Sequence, residues 1–491
     1  MLRTAVCKHV ALGRLLAEPV PILRAFSLSA AACAPKGRKS VVPAPKTKAK
    51  VKVKVNHNKK EKVKRSGITP HDFKDAVRTL RFESYARDLS DLNIPVLSAG
   101  KLQQLKDTVV GYEPKMEEMI KLMGGFKKYQ HHELFRKHYS LVSDNTVEVH
   151  RTFVARLDGT SAKNRMCFLG PKGVGKSTLI SQVQALACSQ HGDAVLLHIN
   201  EPELFIKGYS DYVYNPTLKL YHQPMFTKRW IKKIRVVNEE VFRKMPLLRD
   251  VSFSNKKGAF NYKKGENNLH EYLVNCHDFG VLGTTDAFLF FMEHVVAYSK
   301  DFPVLFSVDN INALFETQFT KYFHKDMSPI HFSEFELGNL IHRLMSGDLV
   351  FSKGGVLLAE TSDLGASRTL RVGLQLEDLD PYATNINHDV ASSIMRNGGV
   401  TTLPLANLNK DQAKKLMEFW DDSGVLHIRD YPTKPVYKRP EDVEEDERRY
   451  RVGEFVTEMD RAATYEKKLQ KTYFVSGGNP GVFLKNIFLA Y

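Results

Sequence analysis

The sequence predicts an α/β fold, a parallel sheet with helices on both faces, extended by a helical N-terminal segment and a helical C-terminal region. Three observations carry that expectation. Five short apolar runs recur between residues 165 and 406 with helical sequence between them. A glycine-rich loop joins the first run to an amphipathic helix in "CFLGPKGVGKSTLI" (167–180). The charge, finally, is concentrated at one end of the chain.

The formal net charge over 491 residues is +17, but residues 1–65 hold 17 Lys/Arg against only Glu18 and Glu61. The other residues carry 55 basic and 53 acidic groups, so the folded body is close to neutral. This argues against an enzyme with a basic nucleic-acid groove and for a globular body with a cationic tail. Residues 1–26 read as a mitochondrial presequence. Arg3 and Arg14 share a helical face, Pro19 and Pro21 end it, and Arg24-Ala25-Phe26 before Ser27 resembles a matrix-peptidase site. Residues 27–65 form a Lys-rich arm in which Lys46, Lys48, Lys50, Lys52 and Lys54 alternate with small or apolar residues. Such a run cannot fold alone. It would bind RNA by counterion release along phosphates, or stay solvated. Five scattered cysteines (Cys7, Cys33, Cys167, Cys188, Cys276) without a C-x-x-C pair suit a reducing compartment and argue against zinc. No apolar run reaches membrane-spanning length, so a soluble protein is expected.

Residues 66–150 read mainly as helices, including "SAGKLQQLKDTV" and "EPKMEEMIKLMGGF". A nucleotide-binding domain is expected over 151–408. Its candidate strands are "RMCFL" (165–169), "AVLLHI" (194–199), "PVLFSV" (303–308), "GGVLLAE" (354–360) and "VTTLPLA" (400–406). Runs that are apolar throughout mark strands buried on both faces. Residues 409–491 read as helical, with a charged solvated helix in 440–470 and a turn "GGNPG" (477–481) that starts the last helix at Pro480.

Gly170-Pro-Lys-Gly-Val-Gly-Lys-Ser177 satisfies G-x-x-x-x-G-K-[ST] at every fixed position. Glycines let backbone N–H groups turn inward around a β-phosphate, and the following helix presents its positive end to it. Lys176 would reach the β/γ-phosphate oxygens and Ser177 would ligate Mg²⁺. The predicted class is therefore a P-loop NTPase fold of AAA-like type. Asp309, at the end of "PVLFSV", is the candidate second metal residue. ATPases of this type carry a glutamate next as general base, whereas this chain has Asn310, which cannot accept a proton at neutral pH. Glu360 is a possible substitute, though a capping or salt-bridge role is the plainer reading. An N-K-x-D guanine motif is absent, as is a D-x-x-G switch at small-GTPase spacing, which disfavours a signalling GTPase.

At these residues the chain resembles the death-associated protein family of the mitochondrial small ribosomal subunit. "HINEPELF", "QPMFTKRWIKKIRVVNEEVF" (223–242), "TTDAF", "FSVDNINALF", "KDMSPI", "LEDLDPY", "LPLANLNKDQAKKLMEFW" and "SGGNPGVFL" follow in family order from about 165 to 491. The resemblance implies a matrix protein of the subunit head that contacts rRNA, neighbouring head proteins and large-subunit proteins across a bridge. It implies no membrane association and no homo-oligomer. It also implies a bound GTP or GDP, with ATP possible, and Mg²⁺. The nucleotide contacts then fall on Gly170, Lys172, Gly173, Val174, Gly175, Lys176, Ser177 and Thr178, with Ser177 and Asp309 at the metal. No catalytic residue is assigned. A matrix ATPase or GTPase of ribosome assembly is the alternative, with Arg368 and Arg371 as candidate arginine fingers. In "FTKRWIKKIR", Phe226 and Trp230 among Lys228, Arg229, Lys232, Lys233 and Arg235 could stack on nucleic acid, while an amphipathic helix with Trp230, Ile231 and Ile234 inward describes the fold better. Both can hold, since basic residues on the outer face could still touch rRNA.

Overall fold

The computed structural model describes residues 89, 92–126, 132, 135, 137–255, 258–276, 283–316, 319–361, 367–426 and 461–488. The presequence, the Lys-rich arm, residues 66–88 and most of the charged segment 440–470 lie outside them. The described residues fall within one compact unit. No helix among them is long and apolar enough to cross a membrane.

All five expected strands form, and they form one parallel sheet. They are β1 (Arg165–Leu169), β2 (Val195–Ile199), β3 (Val304–Val308), β4 (Gly354–Ala359) and β5 (Thr401–Pro404), in the order β5-β1-β4-β3-β2. Ladder partners run in register, Leu357 against Met166 and Leu357 against Ser307. Side chains alternate between the faces, and helices cover both. The principal helices are α1 (Pro114–Met123), α2 (Asp144–Thr152), α3 (Lys176–His191), α4 (Pro224–Val237), α5 (Gly283–Tyr298), α6 (Glu336–Ser346), α7 (Lys410–Asp422), α8 (Arg461–Ser476) and α9 (Pro480–Phe488). On one face Met166, Phe168, Leu305 and Leu357 pack against Ile180 and Val183 of α3. Cys167, Phe306 and Leu358 on the other meet Trp230 of α4, Phe291 of α5 and Ile341 of α6.

Local sequence explains the helix ends. Pro114 opens α1 and Gly124 closes it in the left-handed region, while a Ser143/Thr146 capping box opens α2. Asn409 caps α7 through the Gln412 N–H. The C-terminal helices build a core of their own, with Leu416 and Trp420 of α7 and Phe483 and Ile487 of α9 packed against Phe135 and Tyr139.

The described part of the N-terminal extension departs from the mainly helical form expected. "SAGKLQQLKDTV" yields only a 3₁₀ turn at Ala99–Lys101, and Val109–Gly111 then pairs antiparallel with Tyr139–Leu141. Asp107 sits at φ 59°, which stops helical winding, and its N–H donates to Val142 O at 2.9 Å. The β-branched Thr108-Val109-Val110 that follows favours extended chain. Three further antiparallel pairs are inserted between the sheet strands: Val213–Asn215 with Leu220–His222, Val251–Asn255 with Gly258–Tyr262, and Phe319–Phe323 with Pro329–His331.

Candidate functional site

The carboxyl ends of β1, β3 and β4 meet at one edge, because the sheet order places β4 between the other two. Such edges are where open α/β sheets bind ligands. The loop Gly170–Gly175 leaves β1 here and turns into α3 at Lys176. Gly173 and Gly175 stand at φ 86° and 104°, the left-handed region that side chains avoid. The Lys176 side chain is folded back over the loop, Nζ donating to Gly170 O at 2.5 Å and Pro171 O at 2.9 Å. Only 8% of Lys176 is exposed. Val174 is buried beneath the loop, while Thr178 lies on the first turn of α3.

Ser177 and Asp309, separated by 132 residues, are brought together: Ser177 Oγ donates to Asp309 Oδ2 at 2.7 Å. Asp309 is 3% exposed, and its other oxygen accepts the Asn310 N–H at 3.0 Å. A hydroxyl beside a buried carboxylate is the oxygen donor pair that a small hard cation such as Mg²⁺ takes. A helix's first turn offers N–H groups that its own carbonyls do not use, and α3 begins at this loop. The residues therefore fit a phosphate group with its cation.

Asn310 occupies the position next to Asp309 at φ 59°, and its Nδ2 donates to Glu203 Oε1 at 3.1 Å. Glu203 opens the short helix Glu203–Ile206 that follows β2. The sequence alone does not single it out, since its approach to Asn310 depends on β2 and β3 being neighbours. Glu360 directly follows β4, its N–H donating to Phe168 O at 3.1 Å. Burial raises its carboxyl above the usual glutamate range, outweighing the opposing pull of Lys176 and Arg371. Arg368 and Arg371 both pair with Glu377, at 3.5 and 2.7 Å, the salt-bridge role rather than that of free fingers.

The turn "GGNPG" does more than start α9. Asn479 Oδ1 accepts the Gly481 and Val482 N–H groups at 3.1 and 3.2 Å, capping α9, while its Nδ2 donates to Lys172 O at 2.9 Å. Gly481 N–H donates to Gly173 O at 2.9 Å. A Cβ on Gly173 would lie 2.7 Å from Asn479 Oδ1, so no side chain fits between loop and turn. Beside them a cleft of about 110 Å³ is lined by Tyr139, Asn145, Gly175, Thr178, Leu405 and Pro480. A larger cleft of about 850 Å³ lies between α1, α3 and α4, away from this chemistry, so size does not mark the site.

A family model described as mitochondrial ribosomal death-associated protein 3 matches residues 140–486. That span holds the whole sheet, the loop and the capping turn. The chain is 23% identical over 346 residues to small ribosomal subunit protein mS29 of Neurospora crassa, covering 68% of this chain and 69% of the relative. It is 23% identical over 320 residues to the protein of the same name from Schizosaccharomyces pombe, covering 63% and 64%.

Proposed function

The chain belongs to the mitochondrial ribosomal death-associated protein 3 family, and from that premise we propose a structural protein of the mitochondrial small ribosomal subunit that keeps a nucleotide rather than consuming it. It works in the mitochondrial matrix, where the relatives' small subunit belongs. In this reading it sits in the subunit head, contacts rRNA and head proteins, and reaches large-subunit proteins across a bridge. The P-loop NTPase reading is supported by the loop between β1 and α3 and by the sheet edge it shares with Asp309.

A purine nucleotide, GTP or GDP with ATP as the lesser candidate, would be held by backbone of Gly170–Thr178 and by Lys176, with Mg²⁺ on Ser177 and Asp309. The bound phosphates and cation would supply fixed charge that pins the loop. One observation carries the retention reading: the α9 turn is hydrogen-bonded to the loop backbone at Lys172 and Gly173. Loop geometry and C-terminal helices are thus one mechanical unit, and a ligand that fixes the first fixes the second. Binding to the native state alone stabilises it by roughly 4 kcal/mol at a thousandfold excess over Kd. The adjoining cleft of about 110 Å³ is smaller than ordinary ligand pockets of about 300–1,000 Å³.

Asn310 supports retention, since the amide at the usual base position is turned to Glu203. Lys176→Ala should lower melting temperature and incorporation into the small subunit, while Asn310→Ala, strained only by its left-handed backbone, leaves nucleotide content unchanged; normal assembly and nucleotide content in the Lys176 variant contradict the proposal. The second reading, a matrix assembly ATPase or GTPase, is favoured by Glu203 and Glu360 lying at the same sheet edge. Multi-turnover hydrolysis lost on Asp309→Ala would establish it.

A further inference from the structure

The outer face of α4 carries a cluster of cations. Pro224–Val237 contains five cations and no acid. Lys228, Arg229, Lys232 and Lys233 share one face, within about 7.5 Å of helix length, while Trp230, Ile231, Ile234 and Val237 are buried on the other. Arg229, Lys232 and Lys233 are exposed and Lys228 is half-buried. None of these four makes an ion pair among the described residues, whereas Lys115 pairs with Glu240 at 2.5 Å and Lys410 with Glu466 at 3.2 Å.

An aromatic cleft stands at the N-terminal end of this helix. It is open, about 690 Å³, and lined by Tyr212, Tyr214, Tyr221, Phe323, His324 and Lys325. Tyr214 is 46% exposed and its ring centroid lies 5.0 Å from that of Tyr221. Tyr212 Oη donates to Phe323 O at 3.0 Å, and Tyr221 Oη meets His324 Nδ1 at 2.7 Å, so the rings are fixed in place. The strand Leu220–His222 runs directly into α4, whose Met225 N–H donates to Asp211 Oδ1 at 3.2 Å. Asp326 also lines the cleft, and the Ser328 hydroxyl at 2.7 Å holds its carboxyl below the usual range, so the cleft suits a base and the phosphates fall on α4.

We infer that the outer face of α4 and the tyrosine cleft form one RNA-docking surface, cations tracking phosphates and a tyrosine stacking an unpaired base. The stacking residues are then not Trp230, which is 5% exposed with Nε1 bonded to His198 O, nor the part-buried Phe226. Every base has a face to stack, and unpaired bases are what proteins stack on RNA. The inference rests on the ribosomal reading for which RNA is present.

The test is an anisotropy titration of the full chain with two RNAs, a hairpin with an unpaired loop and a blunt duplex, across a salt series. Substituting K228Q, R229Q, K232Q and K233Q together should flatten the log–log salt slope by about 3 to 4 for both probes. Tyr214→Ala should keep the slope, weaken hairpin binding about tenfold, and spare the duplex, with Tyr214→Phe restoring it. A control with the same charge change at scattered exposed sites (K101Q, K121Q, K163Q, K300Q) should flatten the slope far less. Equal flattening by the control, an unchanged slope in the α4 variant, or equal loss on both probes in Tyr214→Ala overturns the inference, provided melting curves show the variants folded. Failure of the wild-type chain to sediment with the small subunit would instead sink the ribosomal reading, and the titration would still decide the surface.

Discussion

Both oxygens of the buried Asp309 carboxylate are occupied, one by the Ser177 hydroxyl and one by the Asn310 N–H. The two residues were legible in the sequence, Ser177 from the G-x-x-x-x-G-K-[ST] pattern and Asp309 from its place after an apolar run, but the hydrogen bond between them was not. Glu203 was not legible, because 107 residues separate it from Asn310 and only the pairing of β2 with β3 closes the gap. Glu360 permits a sign-defined prediction. Its folded-state carboxyl titrates above the unfolded value, so it favours folding while protonated, and that contribution is lost as pH rises past the folded value. Glu360→Gln should therefore raise the melting temperature at pH 7 and leave it unchanged near pH 3, measured by thermal unfolding of the ligand-free chain. A lowered melting temperature at pH 7 would mean that Lys176 attraction outweighs burial.

At the scale of elements, β1 to β4 were readable because each is a mostly apolar run buried on both faces, while β5, Thr401–Pro404 with exposed ends, is an edge strand and was marked by the apolar residues around it. The inserted antiparallel pairs were not. Strands of three to five residues with an exposed side, such as Val213–Asn215, carry too short an alternation to register. "SAGKLQQLKDTV" has helical composition, yet Asp107 and the pairing of Val109–Gly111 override it. Pro480 correctly marked the start of α9, but the docking of its turn on the loop comes from the packing of α7 and α9 around Trp420 and Phe483. Asn479→Ala removes the α9 cap and the bond to Lys172 together. It should cost about 1–2 kcal/mol by cap loss alone, read in chemical denaturation. The same variant should weaken Mg-nucleotide binding in calorimetry, and unaltered binding would uncouple the turn from the loop.

For the whole molecule, the charge partition was the most informative reading. Once the tail's cations are set aside the body is near neutral, so the RNA contact inferred above would need a local patch such as the outer face of α4. Family membership rests on residues 140–486, which hold the nucleotide-type edge, the α4 surface and the C-terminal helices in one unit. The central claim is that the loop's ligand is a retained structural part of a ribosomal protein. The direct measurement is the nucleotide content of salt-washed mitochondrial small subunits, followed during incubation with labelled nucleotide and Mg²⁺. The account predicts stoichiometric purine nucleotide that depends on Lys176, with slow exchange and no multi-turnover phosphate release. Subunits holding the chain without nucleotide, or rapid exchange with repeated phosphate release, would contradict it.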